Sequence, residues 1–133
     1  MERIKDMYDL QTPCFILDPE ELERSVKGFQ RALDKNFSNS VVGYSVKTNS
    51  LPKCMKLAKE MGAYAEVVSH DEYALALLCG FEKQHIVYNG PMKSKESFLD
   101  AVVNGATINI ETKRELEWLS DLVNYHFNVG RCA

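Results

Sequence analysis

The residue with the most chemistry open to it is Lys47. It ends the run Val41-Val42-Gly43-Tyr44-Ser45-Val46 and stands just before Thr48-Asn49-Ser50-Leu51-Pro52. The run is apolar and β-branched, the composition of a buried strand, and the Ser-Leu-Pro after it signals a helix start. A lysine at that junction leaves the apolar layer and enters the mouth where parallel α/β proteins bind ligands. An amine partly desolvated there has its lone pair freed for Schiff-base condensation with a carbonyl. Position alone leaves the ordinary alternative open, a solvated lysine that happens to follow a strand.

Glu66 is a carboxylate inside Tyr64-Ala65-Glu66-Val67-Val68. Strand alternation turns it the same way as Tyr64 and Val68, into a barrel or onto its opposite flank. Beside an inward lysine it would form a charge pair that tunes the amine; the alternative is a solvated strand-end glutamate. His70, Asp71 and Glu72 are consecutive, so on a helix they fan over different faces and cannot grip one metal. A first turn whose acids complement the helix dipole accounts for them, with Glu72 kept as a group able to turn toward the mouth. The same rim holds Asn89, Gly90 and Pro91, with Lys93 close by, then Glu111 and Thr112. His85 and His126 lack partner ligands, and no metal site is read. No Ser-His-Asp arrangement, G-x-G-x-x-G or G-x-x-x-x-G-K-S/T motif is present.

The elements that must position these groups follow a repeat. Residues 11–17 read as a short extended segment. Asp18-Pro19-Glu20-Glu21 then starts a helix, with Asp18 as cap, Pro19 at the first position and Glu21 spaced for a capping box. Leu22, Val26, Phe29 and Leu33 make one apolar stripe. Strands beginning at 41, 64, 86 and 107, thus 23, 22 and 21 residues apart, each lead to a helix. These helices are expected over 50–61, 69–79, 94–104 and 112–125. Each opens on Ser or Thr, and the first three close on Gly62, Gly80 and Gly105. Four successive βα units make a parallel sheet with right-handed crossovers. Even spacing and short loops favour a closed barrel over an open doubly wound sheet. The expected architecture is α/β, (β/α) TIM-barrel type. Residues 1–40 form a strand-and-helix lead-in, and residues 41–133 form about half of a (β/α)₈ barrel, which needs roughly 250 residues in full. The tail from Phe127 reads as the approach to a fifth strand, so the chain is expected to be truncated, with open apolar edges that favour self-association.

Bulk properties narrow the classes. The chain has 133 residues, 45% hydrophobic and 26% charged, with net charge −3, as in soluble globular proteins. Both signs are interspersed, so neither a nucleic-acid stripe nor an acidic tail is read. Residues 1–9 are charged and do not read as a signal peptide. No apolar run approaches the roughly 20 residues that span a bilayer. Cys14, Cys54, Cys79 and Cys132 are far apart with no C-x-x-C, which suggests reduced thiols and a cytoplasmic location.

Taken together, the motifs resemble a known family. Tyr44-Ser45-Val46-Lys47-Thr48-Asn49 resembles the Y-A-V-K-A-N signature of the alanine-racemase-like, fold-type III pyridoxal-phosphate enzymes. Ala65-Glu66-Val67-Val68-Ser69-His70-Asp71-Glu72 resembles their F-D-V-V-S-x-x-E motif. His85-Ile86-Val87-Tyr88-Asn89-Gly90-Pro91-Met92-Lys93 is similar to their R-I-V-F-x-G-x-x-K segment, and Thr12-Pro13-Cys14-Phe15-Ile16-Leu17-Asp18 to their T-P-x-Y-V-Y-D opening. Order and spacing agree from about residue 11 to residue 120. Lys47-Thr48-Asn49-Ser50-Leu51-Pro52 lacks the glycine-histidine element that racemases carry after the lysine. It is closer to the K-A-N-S-N-P of the diaminopimelate, ornithine and arginine decarboxylases. Ser45, Thr48 and Glu66 depart from the usual alanines and aspartate, and Asn89-Gly90-Pro91 from the commonest diaminopimelate form.

The resemblance implies that Lys47 is catalytic and holds pyridoxal 5'-phosphate as an internal aldimine. It implies further that Glu66 lies near the cofactor ring, that Glu72 helps orient that region, and that an amino acid of diaminopimelate-like or other basic type is decarboxylated. A homodimer of the full-length protein is implied as well. The phosphate site, the acid facing the pyridine nitrogen and a C-terminal β-domain would lie past residue 133, so the 133 residues alone are expected to be inactive. An amino-acid racemase, a non-catalytic pyridoxal-phosphate-binding barrel and a plain interaction domain are the competing readings.

Overall fold

The computed structural model describes residues 11–129. Asp18, extended at φ −94°, accepts the amides of Glu20 and Glu21 at 3.0 and 3.1 Å and so opens α1 (Pro19–Asn36). Glu21 pairs with Arg24 instead of reaching back to its cap. The apolar stripe of α1 is half-buried at Leu22, Val26 and Leu33, while Phe29 is exposed. The extended segment expected ahead of α1 does not enter the sheet: residues 11–18 carry no strand pairing, and Phe15, Ile16 and Leu17 are exposed. A short apolar run becomes a strand only where an edge is offered to it, and pairing of that kind is non-local.

Four βα units follow. β1 (Gly43–Ser45) leads to α2 (Pro52–Glu60), β2 (Tyr64–Ser69) to α3 (His70–Leu78), β3 (Ile86–Met92) to α4 (Lys95–Val103), and β4 (Thr107–Ile108) to α5 (Lys113–Val129). A 3₁₀ turn at Lys83–His85 precedes β3. All neighbouring strands are parallel, in the order β1-β2-β3-β4. Burial alternates along them. Ala65, Val67, Ile86 and Tyr88 are fully buried under the helices, whereas Ser45, Glu66 and Asn89 on the other face are only half-buried. Sequential order with helices on one face is the barrel arrangement, since a doubly wound sheet covers both faces.

The core joins Val46, Met55, Ala65, Val67, Ala76, Phe81 and Ile86 around Tyr73 and Tyr88, whose rings stack at 5.1 Å and 6°. Ser69, Ser94 and Thr112 cap their helices, as the amides of Glu72, Ser97 and Glu115 donate to their hydroxyls at 3.2, 3.1 and 3.3 Å. Ser50 does not cap α2. That cap is Leu51, with no side-chain bond, and the turn before it is closed by Asn49 Oδ1, which accepts the Leu51 amide at 3.1 Å. Proline at the first position supplies the rest, because its missing N–H needs no partner. β3 runs from Ile86 to Met92, through Asn89-Gly90-Pro91, and its pairing with β2 shifts register between Val67 and Ser69.

Candidate active site

Lys47 lies in the turn after β1, on the rim from which the helices start. That turn is tied down on both sides. The Val46 amide donates to Glu66 O at 2.9 Å and the Thr48 amide to Ser45 O at 3.2 Å. The Tyr44 hydroxyl donates to Asn49 O at 2.8 Å. Burial, then Cys54 nearby, pushes the Tyr44 phenol up to about 12, so it remains a neutral donor across the physiological range. The Lys47 side chain is exposed, and among the described residues it makes no ion pair or side-chain hydrogen bond. The amine stands in solvent, whereas its place at the strand end predicts partial desolvation, and only its backbone is tethered. A cavity of about 290 Å³ is lined by Leu17, Leu22, Tyr44, Ser45, Thr48, Asn49 and Cys54, with Lys47 not among its walls.

Glu66 stands on the uncovered face, opposite Ser45 in the β1–β2 register. The charge pair expected with Lys47 is not formed within the chain. Glu66 Oε1 instead accepts from Asn89 Nδ2 at 2.7 Å, and Asn89 Oδ1 accepts from Asn109 Nδ2 at 2.5 Å. Strands β2 and β3, and the residue that follows β4, thus contribute to one polar row. Glu72 folds back onto the end of β2, where its Oε2 accepts the Val68 amide at 2.9 Å. His70 reaches Met92 O across the rim at 3.3 Å.

A second network lies under the ends of β3 and β4. Lys93 and Glu115, 3.3 Å apart, have fully buried side chains. Lys93 also donates to Gly90 O and, at 3.1 Å, to Asn109 O, and sits over the Tyr88 ring at 5.4 Å. Glu115 Oε2 accepts the amides of Glu111 and Thr112 at 2.7 and 3.2 Å. Burial pushes the Glu115 carboxyl up, but those amides and the Lys93 ammonium outweigh it and hold it below the usual carboxylate range. Glu111 in turn accepts the Gly90 amide at 2.6 Å. Sequence position puts Lys93 and Glu111 on the rim, but the meeting of Lys93 with Glu115 depends on how α5 packs and is not readable from spacing. Sequence reasoning missed Asn109, whose one signal was its place two residues past the start of β4.

Comparison with known proteins decides what this rim belongs to. The profile of the family described as "Pyridoxal-dependent decarboxylase, pyridoxal binding domain" matches residues 20–129. The chain belongs to the pyridoxal-dependent decarboxylases. Among the relatives of this chain, the "Probable diaminopimelate decarboxylase, chloroplastic" of Oryza sativa subsp. japonica is 32% identical over 107 residues, which is 80% of this chain and 21% of that one. The diaminopimelate decarboxylase of Aquifex aeolicus is 30% identical over 112 residues, 84% of this chain and 26% of that one. The chain thus spans about a quarter of the length of those relatives. The crystal structure of diaminopimelate decarboxylase from Helicobacter pylori complexed with L-lysine superposes with a TM-score of 0.76 over 92% of this chain and 31% of that one. At 22% identity that likeness speaks for the fold alone.

Proposed function

We propose that this chain is the pyridoxal-phosphate-binding part of an enzyme that decarboxylates an amino acid, with Lys47 as the residue that binds the cofactor covalently. The observation that carries the reading is the tethered, unpaired Lys47 on the helix-start rim of a pyridoxal-binding domain. The residues present fit the group. Lys47 offers an amine to the cofactor's aldehyde. Glu66 offers a carboxylate oxygen from the adjacent strand. Glu72 holds the end of β2 in place through the Val68 amide. Bound pyridoxal phosphate supplies an electron sink for the pair left when the α-carboxylate departs as CO₂. Lys47 would hold the group and, as the amine nearest to it, would serve to hold or move a proton there. The family favours decarboxylation over racemisation and over a non-catalytic binding barrel.

The substrate in this reading is diaminopimelate or another basic or diamino acid, in keeping with the names of the relatives. The working form is a homodimer of a longer chain in the reducing cytoplasm. Buried Cys54 and Cys79, both unpaired, are in keeping with that compartment. Residues 1–40 act as lead-in and residues 41–133 as cofactor-binding half-barrel, and the 133 residues alone do not catalyse.

Borohydride reduction in the presence of pyridoxal phosphate, followed by peptide mass mapping, tests the assignment. The expected adduct is on Lys47 and is absent in Lys47→Ala. An adduct spread evenly over surface lysines overturns the assignment, and CO₂ release by the isolated chain overturns its inactivity.

A further inference from the structure

We infer that Asn89 and Asn109 are positioning residues for Glu66, an inference that rests on the function proposed above. The chain of amides runs in one direction. Asn109 Nδ2 donates to Asn89 Oδ1 at 2.5 Å, and Asn89 Nδ2 donates to Glu66 Oε1 at 2.7 Å. A side-chain amide has a donor end and an acceptor end, so the same Asn89 turned about would set its oxygen against a carboxylate. Asn109 removes that choice: by taking the oxygen end of Asn89, it leaves only the NH₂ end for Glu66. The main chain of Asn109 is held in place: its backbone N–H donates to Tyr88 O at 3.1 Å and its backbone carbonyl accepts from buried Lys93 at 3.1 Å.

The chain terminates on a group that only accepts. Among the described residues nothing bonds Glu66 Oε2, which leaves that oxygen for a cationic partner on the uncovered face. Ser45, the register partner of Glu66, lies two residues before Lys47. Asn89 and Asn109 therefore fix the carboxylate through Oε1 and leave Oε2 open to the amine of Lys47, or to the cofactor bound there. A hydrogen bond to an ionised group is worth more than one between neutral groups, so the Asn89 donor is the strong link and Asn109 its orienter.

The test uses the 133-residue chain and two readouts. The first is the yield of borohydride-trapped pyridoxal phosphate on Lys47. Asn89→Ala should lower it about tenfold, the equivalent of one charge-assisted hydrogen bond. Asn109→Ala should lower it less, and the double variant should be no worse than Asn89→Ala. Asn89→Asp keeps the shape but opposes two carboxylates, and should lower the yield further than alanine at a similar unfolding midpoint, which a packing role would not do. The second readout needs no cofactor. It is the coupling between Asn89→Ala and Glu66→Gln in thermal unfolding, expected to shrink when Asn109 is alanine. Unchanged trapping in Asn89→Ala, or additive losses from the two asparagines, overturns the inference. A wild-type chain with no adduct on Lys47 overturns the functional reading instead, and the unfolding cycle then decides the amide chain alone: coupling indifferent to Asn109 sinks it.

Discussion

At Gly90 the backbone adopts φ 75° inside β3, and a Cβ placed there would stand 2.4 Å from Val68 O and 2.8 Å from Val68 Cβ. Those atoms belong to the end of β2, where the Val68 amide is already committed to Glu72. Neither can retreat without disturbing the rim. Gly62 offers the control, with φ 85° and nothing within 4 Å of its would-be Cβ. Gly62→Ala should cost about 1 kcal/mol, the conformational term alone. Gly90→Ala should cost about 3 kcal/mol, since strain and overpacking combine. Denaturant unfolding of both variants measures the difference, and equal costs would mean the Val68 contact is not felt. The same residue shows why the site was only partly legible. The sequence marks Gly90, Asn89 and Lys47 as rim residues because they follow a strand, and Glu66 because strand alternation turns a carboxylate inward. It says nothing of Asn109 meeting Asn89, or of Glu66 bonding Asn89, because those contacts depend on the register between strands roughly 20 residues apart in the chain.

The elements were more legible than their contacts, because local signals set them. Asp18, Ser69, Ser94 and Thr112 cap where spacing said they would, and Gly62, Gly80 and Gly105 turn left-handed after their helices. Two misreadings, a strand over residues 11–17 and Ser50 as a cap, concern segments whose state is set by neighbours outside the window. The start of α5 carries more than its cap. Glu115 neutralises buried Lys93 while holding two backbone amides, so it fastens α5 to the end of β3. Its carboxyl lies below the ordinary 4.5 in the folded state. A depressed folded value means its contribution is complete above the unfolded value, and is lost as pH falls through the folded one. Asp100 adds to the acid slope in the same direction, held below its ordinary 3.8 chiefly by the hydrogen bond from Lys83. The informative quantity is therefore the difference between wild type and Glu115→Gln. The variant should be about 3 kcal/mol less stable at neutral pH, since it strands a buried ammonium. Its stability should also fall less steeply below pH 4.5. Parallel acid profiles for the two proteins would refute the role given to Glu115.

For the molecule as a whole, the governing fact is a sheet with two free sides. Among the described residues β1 and β4 each pair on one side only, and the face carrying Ser45, Glu66 and Asn89 has no helix over it. Val41, just before β1, and Ile110, just after β4, are 43% and 41% exposed, so each edge also presents an apolar side chain. Parallel strands are ordinarily buried on both faces and closed at their edges, and an edge with unpaired N–H and C=O groups recruits another strand. The isolated chain should therefore self-associate. Sedimentation over a range of concentrations should give a mass that rises with concentration, without the sharp end-point of a fixed oligomer, because the two edges are short and not matched to each other. A charge on each edge opposes strand addition, so Val41→Lys with Ile110→Lys should hold the chain as a monomer. The substitutions lie away from the core around Tyr73 and Tyr88, so the unfolding midpoint should barely change. A wild-type chain that stays monomeric at every concentration, or a doubly substituted chain that associates as strongly as wild type, would show that the open edges do not drive its association.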